Sequence, residues 1–236
     1  MAIAVCAHRG ASISHPENTV AAFRAAAELG VERVEFDVRR TLDGELVILH
    51  DHTVDRTTNG CGAVWELTAC LVRGLDAGSH HSAAFAGERI PTFAEAVDAC
   101  PMRLNIHVYP GPHDLEPLLD GVLAELRNQG RLDSAFITGD DAVVDRTALL
   151  EPGITRCWLG GQHLADYPEQ SAARGCRNLQ PWYPNLSAAL CDRAHELGLE
   201  VHPFYADDEA RMRELIAMGV DGMLTNQPAL LQQVIA

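Results

Sequence analysis

The sequence contains no lysine; all 18 Lys/Arg positions are arginine. Schiff-base chemistry, a Walker lysine and any lysine base are thereby excluded. Also missing is any CxxC pair. The seven cysteines (6, 61, 70, 100, 157, 176 and 191) are scattered and odd in number. That argues against a zinc knuckle or a disulfide framework, and for free thiols in a reducing, cytoplasmic compartment. No apolar run reaches membrane-spanning length, so no membrane segment is expected. The opening MAIAVCAHRG has no basic start, apolar h-region or cleavage site, and no leader is expected either. Positive charge is scarce: 33 acidic residues against 18 basic ones give a formal net charge of −15. Such a surface repels nucleic acid and anionic membranes. A negatively charged small-molecule substrate would need local help from arginine or a metal ion.

What is present is a core and a repeated pattern. Its 236 residues, 47% of them hydrophobic, suit one large domain over 1–236. The stretch from Val34 to Asp51, VEFDVRRTLDGELVILHD, reads as two short strands reversing at Asp43-Gly44. Alternation puts Glu35 and Asp37 on one face and Val34, Phe36 and Val38 on the other. Two neighbouring carboxylates repel each other and lose hydration if buried, and a divalent cation is the usual remedy. His50 and Asp51 close the second apolar run. On its own this pattern also suits the solvated face of an edge strand, with His50 a hydrogen-bonded structural histidine.

Upstream, a strand over Ile3–Ala7 puts Ala4, Cys6 and His8 on one face. Asn18 or Thr19 caps the helix VAAFRAAAEL, which stops at Gly30. The joint of helix, glycine and short apolar strand recurs at Gly198 and Gly219. Further strands are expected over 103–109, 134–138, 154–159, 178–183, 200–205 and 221–225. Helices are expected over 114–128, 141–149, 163–173, 186–197, 208–218 and 227–235. Eight alternating units in this length fit a (β/α)8 TIM barrel, which typically needs ~250 residues. A doubly wound open sheet is the alternative, but no glycine-rich dinucleotide fingerprint follows the first strand. The polar, irregular segment 52–89, helical around 66–74, reads as an insertion after the second strand. Ile90-Pro91-Thr92 then restarts the barrel with a capped helix.

With these residues laid out, the chain resembles the glycerophosphodiester phosphodiesterase family. The resemblance is carried by His8-Arg9-Gly10, Pro16-Glu17-Asn18-Thr19, Glu35-Phe36-Asp37-Val38, His50-Asp51 and Asp55-Arg56-Thr57-Thr58-Asn59-Gly60. Gly219-Val220-Asp221-Gly222 and Thr225-Asn226-x-Pro228 complete it. It implies a metal-assisted hydrolase that releases an alcohol and glycerol 3-phosphate. Glu35 and Asp37 would ligate a divalent ion (Mg, Ca or Mn), and His8 and His50 would form the acid–base pair. Arg9 would bind the phosphate, Glu17 would orient Arg9 or approach the metal, and Phe204 would stand at the rim. Arg39, Arg40 and Arg56 read as salt-bridge partners of the acidic loops.

The third strand departs from the family. Where Asn-Ile-Glu-x-Lys is usual, this chain has Asn105-Ile106-His107-Val108-Tyr109, with Asn105, His107 and Tyr109 on one face. His107 would then be the third ligand, and Tyr109 would replace a cation. Asn226 stands where aspartate is common. An impaired or inactive member that binds a phosphate ester is the second reading. A third is another two-histidine, metal-dependent barrel enzyme, of the phosphoinositide phospholipase or sphingomyelinase D kind.

Overall fold

Alternation and prolines together set the strands. The structure, a computed structural model, describes residues 3–112 and 114–236. Its elements run β1 (Ala4–His8), α1 (Val20–Glu28), β2 (Arg33–Arg40), β3 (Leu46–Ile48), α2 (Ala69–Gly74), α3 (Phe93–Ala99) and β4 (Arg103–Val108). They continue α4 (Leu115–Asn128), β5 (Ala135–Gly139), α5 (Asp141–Leu150), β6 (Thr155–Trp158), α6 (Tyr167–Ala173) and β7 (Asn178–Leu179). The last are α7 (Ala188–Glu196), β8 (Glu200–Val201), α8 (Glu209–Ala217), β9 (Gly222–Thr225) and α9 (Pro228–Ile235).

Parallel pairing runs in the order β8-β7-β6-β5-β4-β2-β1-β9, with β3 antiparallel on β2. The ring all but closes: Leu224 N donates to Pro203 O at 3.1 Å and Asp221 N to Val201 O at 2.9 Å. This is the expected TIM barrel. Strands β7 and β8 are shorter than the expected 178–183 and 200–205. Pro181 and Pro203 carry no N–H, so the ladder stops before each. It resumes as bridges at Trp182, Phe204 and Leu224. Helix α6 starts at Tyr167 rather than 163, because Pro168 fits only the first turn. The helical piece around 66–74 splits into a single 3-10 turn at 64–66 and α2.

The outward face of β2 meets the helices. Phe36 packs between Phe23 of α1 and Phe93 of α3, with ring centroids 5.5 and 6.0 Å away. Thr92 caps α3 in a reciprocal capping box with Glu95. Val54, Val64, Val72 and Ala77 of the segment after β3 join Val47, Leu49 and Ile90 in a small apolar cluster of their own. At the N-terminal mouth, Arg33 is tied to Glu200 at 2.8 Å and to His202 at 3.0 Å. The opposite mouth is where barrel enzymes hold their chemistry.

The loop after β1 turns through Gly10, whose φ is +83° and whose missing Cβ would lie 2.7 Å from the Ala22 backbone of α1. Both the left-handed backbone and the close approach require glycine. Gly10→Ala should therefore lose roughly 2–4 kcal/mol in a denaturant titration, combining backbone strain with overpacking. A loss below ~0.5 kcal/mol would show that this loop is not held against α1.

Candidate active site

The C-terminal mouth opens on a cavity of about 650 Å³, lined by His8, Arg9, Glu35, Asp37, His50, His107, Tyr109 and Phe204. Of the residues singled out from sequence, Glu17 alone stands back, bonded to Arg9. The alternation of β2 delivers its carboxylates inward, Glu35 3% and Asp37 0% exposed. Burial, and then the charge of Asp37, push the Glu35 pKa well above the usual carboxylate range. Burial also works against the charge on Asp37. There Arg9, His107, His50 and the Asn18 hydrogen bond outweigh it and hold the group below that range.

Arg9 reaches three carboxylates from a left-handed backbone (φ 57°). Its N–H donates to Glu35 Oε2 at 3.1 Å and its Nη1 to Glu17 Oε1 at 2.8 Å, while Nε lies 3.3 Å from Asp37 Oδ2. Asn18, also left-handed, donates its backbone N–H to Arg9 O at 3.0 Å and its Nδ2 to Asp37 Oδ2 at 2.8 Å. Reading it as a helix cap misses this contact; Thr19 is the cap. Arg56 grips Glu17 with two 2.8 Å bonds and Asp51 through Nε at 2.7 Å, the salt-bridge role expected of it. Although burial opposes its charge, Arg56 and Arg9 bring the Glu17 pKa down to about 2. Asp51 in turn accepts from His50 Nδ1 at 2.7 Å. An unbroken chain thus runs Arg9–Glu17–Arg56–Asp51–His50.

Arg39 differs from its expected role. Its guanidinium donates to the His50 carbonyl (Nε at 2.9 Å) and lies 4.8 Å over the Tyr109 ring, with no carboxylate partner among the described residues. At the buried end of β2 backbone carbonyls, not the acidic loops, are in reach. Tyr109 packs on His107 with centroids 3.9 Å apart, and His50 meets it edge-on at 5.4 Å. Burial and the Asp37 charge raise the Tyr109 pKa, so its hydroxyl stays protonated. His8 bonds through Nδ1 to Asn226 Oδ1 at 2.7 Å, and the exposed ring of Tyr205 stacks on it at 5.1 Å and 25°. Tyr205 leaves no signal in the sequence beyond lying next to Phe204. His15, His80, His81, His163 and His195 lie outside the cavity, and His113 lies outside the described residues.

Comparison with known proteins now decides the family. Residues 8–230 match the model of the glycerophosphoryl diester phosphodiesterase family. A glycerophosphodiester phosphodiesterase of Caldanaerobacter subterraneus is 34% identical, over 96% of this chain and 95% of that protein. One from Bacillus subtilis is 28% identical, over 98% and 86%. Among solved structures, an Oleispira antarctica phosphodiesterase in complex with the product sn-glycerol-3-phosphate superposes with a TM-score of 0.94 at 27% identity, covering 99% of this chain and 97% of that one. The chain belongs to the glycerophosphoryl diester phosphodiesterase family.

In this phosphodiesterase the residues that would hold a divalent cation are compatible with one. Donor atoms of Glu35, Asp37 and His107 all lie within 4.8 Å of one another. Asp37 Oδ1 is buried without a hydrogen-bond partner, and His107 Nδ1 lies 3.7 Å from it. Burial brings the His107 pKa down to about 3, leaving a neutral imidazole able to ligate. The Glu35–Asp37 repulsion is what a cation would relieve.

Burial first, then the Arg9 charge, lower the His8 pKa to about 4. A histidine whose pKa falls stays neutral until the pH drops to its new value. In the metal-free protein, the His8 ring should therefore titrate near pH 4 by proton NMR, and be neutral throughout the physiological range. A midpoint near the ordinary ~6.5 would contradict this environment.

Proposed function

We propose that this enzyme hydrolyses glycerophosphodiesters to an alcohol and glycerol 3-phosphate. The observation that carries the reading is one cavity lined by two histidines, one arginine and a three-donor cation set. The sn-glycerol-3-phosphate named with the Oleispira neighbour supports the product class.

In this reading Arg9 offers guanidinium N–H groups to the phosphate oxygens, held in place by Glu17. His8, neutral, accepts the proton of the attacking hydroxyl through Nε2. His50, its Nδ1–H held by Asp51, enters the step as the imidazolium and gives its Nε2 proton to the departing alkoxide. When bound by Glu35, Asp37 and His107, a divalent cation supplies positive charge that stabilises the phosphoryl oxygens in the transition state. With two carboxylates and an imidazole, the donor set suits Mn²⁺ better than Mg²⁺ or Ca²⁺, which favour all-oxygen shells.

A second reading, a phosphate-ester binder of low or no turnover, is favoured by one observation. Arg9 is the sole arginine lining the cavity among the described residues, and Tyr109 adds no charge. Losing one such charge contact commonly costs ~10²-fold or more.

Release of glycerol 3-phosphate from a panel of glycerophosphodiesters, with Mn²⁺, Mg²⁺ and Ca²⁺ in turn, separates the two. We expect turnover that is highest with Mn²⁺; no release with any of the three ions would favour the binder. His8→Ala and His50→Ala should each lose at least ~10²-fold while remaining folded. Wild-type activity in either would remove that histidine from the mechanism. The double variant His107→Glu, Tyr109→Lys should raise Mg²⁺-supported turnover. Full activity of the unaltered enzyme with Mg²⁺, and no gain in the variant, would refute the roles given to this strand.

A further inference from the structure

Beyond the two histidines lies a carboxylate that touches neither of them. Asp207, in the loop between β8 and α8, accepts from Asn226 N at 2.8 Å and from Thr225 Oγ1 at 3.0 Å through Oδ1. Its Oδ2 accepts from Asn226 Nδ2 at 2.6 Å. An ionised carboxylate has no proton to give, so the Asn226 amide must turn its nitrogen toward Asp207 and its oxygen toward His8. That oxygen, at 2.7 Å from His8 Nδ1, has no proton either. Two acceptors at that distance would repel, so His8 must carry its proton on Nδ1. The Ser12 hydroxyl, 2.9 Å from the same amide oxygen and 2.8 Å from His8 O, is a donor to either and leaves this logic unchanged.

The consequence falls on the other ring nitrogen. With Nδ1–H occupied and Tyr205 stacked on the ring, Nε2 is bare and lies on the Glu35 side, 3.9 Å from Oε2. The geometry assigns to Asp207 the role of a positioning residue, which fixes the tautomer of His8 through Asn226. Asp207 does not touch the reacting atoms. It orients an amide, and the amide decides which imidazole nitrogen can receive a proton. The assignment deepens the reading of His8 as a base, and its kinetic consequence rests on that reading.

The test uses full-length, metal-free protein labelled with ¹⁵N-histidine, at neutral pH. Long-range proton–nitrogen correlations should show His8 as the Nδ1–H tautomer. In Asp207→Asn the amide of Asn226 loses the partner that orients it, and the Nε2–H form should appear. In Asn226→Asp two carboxylates face each other across the former 2.6 Å bond, and kcat should fall by roughly tenfold. The exchanged pair, Asp207→Asn with Asn226→Asp, restores one donor and one acceptor at that contact. It places a carboxylate directly on His8 Nδ1–H. Its tautomer should return to Nδ1–H, which Asp207→Asn alone loses, and its kcat should recover from the loss in Asn226→Asp, with KM little changed. If Asp207 merely tied down its loop, its asparagine variant would lower thermal stability without moving the tautomer, and the exchange would rescue nothing. That result, or an Nε2–H tautomer in the unaltered protein, overturns the assignment. The tautomer measurement needs no substrate. An Nδ1–H ring in a protein that releases no glycerol 3-phosphate would count against the proposed reaction alone.

Discussion

Two carboxylates buried side by side are the constraint on which this structure turns. Strand alternation sends Val34, Phe36 and Val38 into the helix layer, and so leaves Glu35 and Asp37 no direction but inward. An uncompensated buried ion costs several kcal/mol, far more than the net worth of a typical hydrogen bond, ~1 kcal/mol. The surrounding loops are shaped by the compensation. Arg9 and Asn18 both sit at positive φ, near 57° and 58°, in a conformation that costs ~1–3 kcal/mol for a residue with a side chain. Both direct side chains at Asp37, and Arg9 adds its backbone N–H to Glu35. Strain in the loop and charge in the strand are thus two sides of one balance.

The same compensation draws the segment after β3 into the site. Exposed ion pairs contribute little singly, ~0–1 kcal/mol. Here, however, Arg56 is shared by Glu17 and Asp51, which are themselves shared with Arg9 and His50. Side chains from two loops, the one after β1 and the one after β3, therefore have one mutually consistent arrangement. In a chain with a formal charge of −15, this is where arginine is concentrated to effect. Electrostatic repulsion of anions by the surface as a whole is answered locally, at the mouth of the barrel.

Periodic features are legible in the order of residues itself. The alternation at Glu35 and Asp37, the glycine-ended helices and the eight-unit count all arise from local backbone geometry, which spacing reports directly. The strand ends at Pro181 and Pro203 are harder to read, because apolar character continues past the residue where hydrogen bonding stops. Glu17 apart, the motif residues reach one cavity because they lie on inward strand faces or just past strand ends at the same barrel mouth. Pairing between distant side chains is what spacing hides. Asn18 looks like a cap because capping is local, whereas its partner Asp37 is 19 residues away. Arg39 looks like a surface cation, yet carbonyl partners at 50 and 109 close over it. Asp207 precedes the Asp208 that caps α8, and nothing in that doublet distinguishes the capping acid from the one facing Asn226.

The altered strand β4 is best understood as one change rather than two. The family's usual glutamate and lysine would bring one negative and one positive charge to this wall. His107 and Tyr109 bring neither, so the net charge of the wall is the same while both ions are gone. Their rings instead pack at 3.9 Å with a tilt of 31°, and Arg39 lies over the tyrosine ring at 4.8 Å. Arg39 itself is 2% exposed and does not line the cavity. The positive charge is retained close by, but behind an aromatic ring rather than in contact with a substrate. Restoring either family residue alone would dismantle the ring pair and change the net charge beside Asp37, which upsets that balance. Glutamate alone would add a third buried carboxylate beside Glu35 and Asp37. Lysine alone would lie near Arg39 with its new partner missing. The two positions are therefore energetically coupled, and only their joint exchange compares like with like.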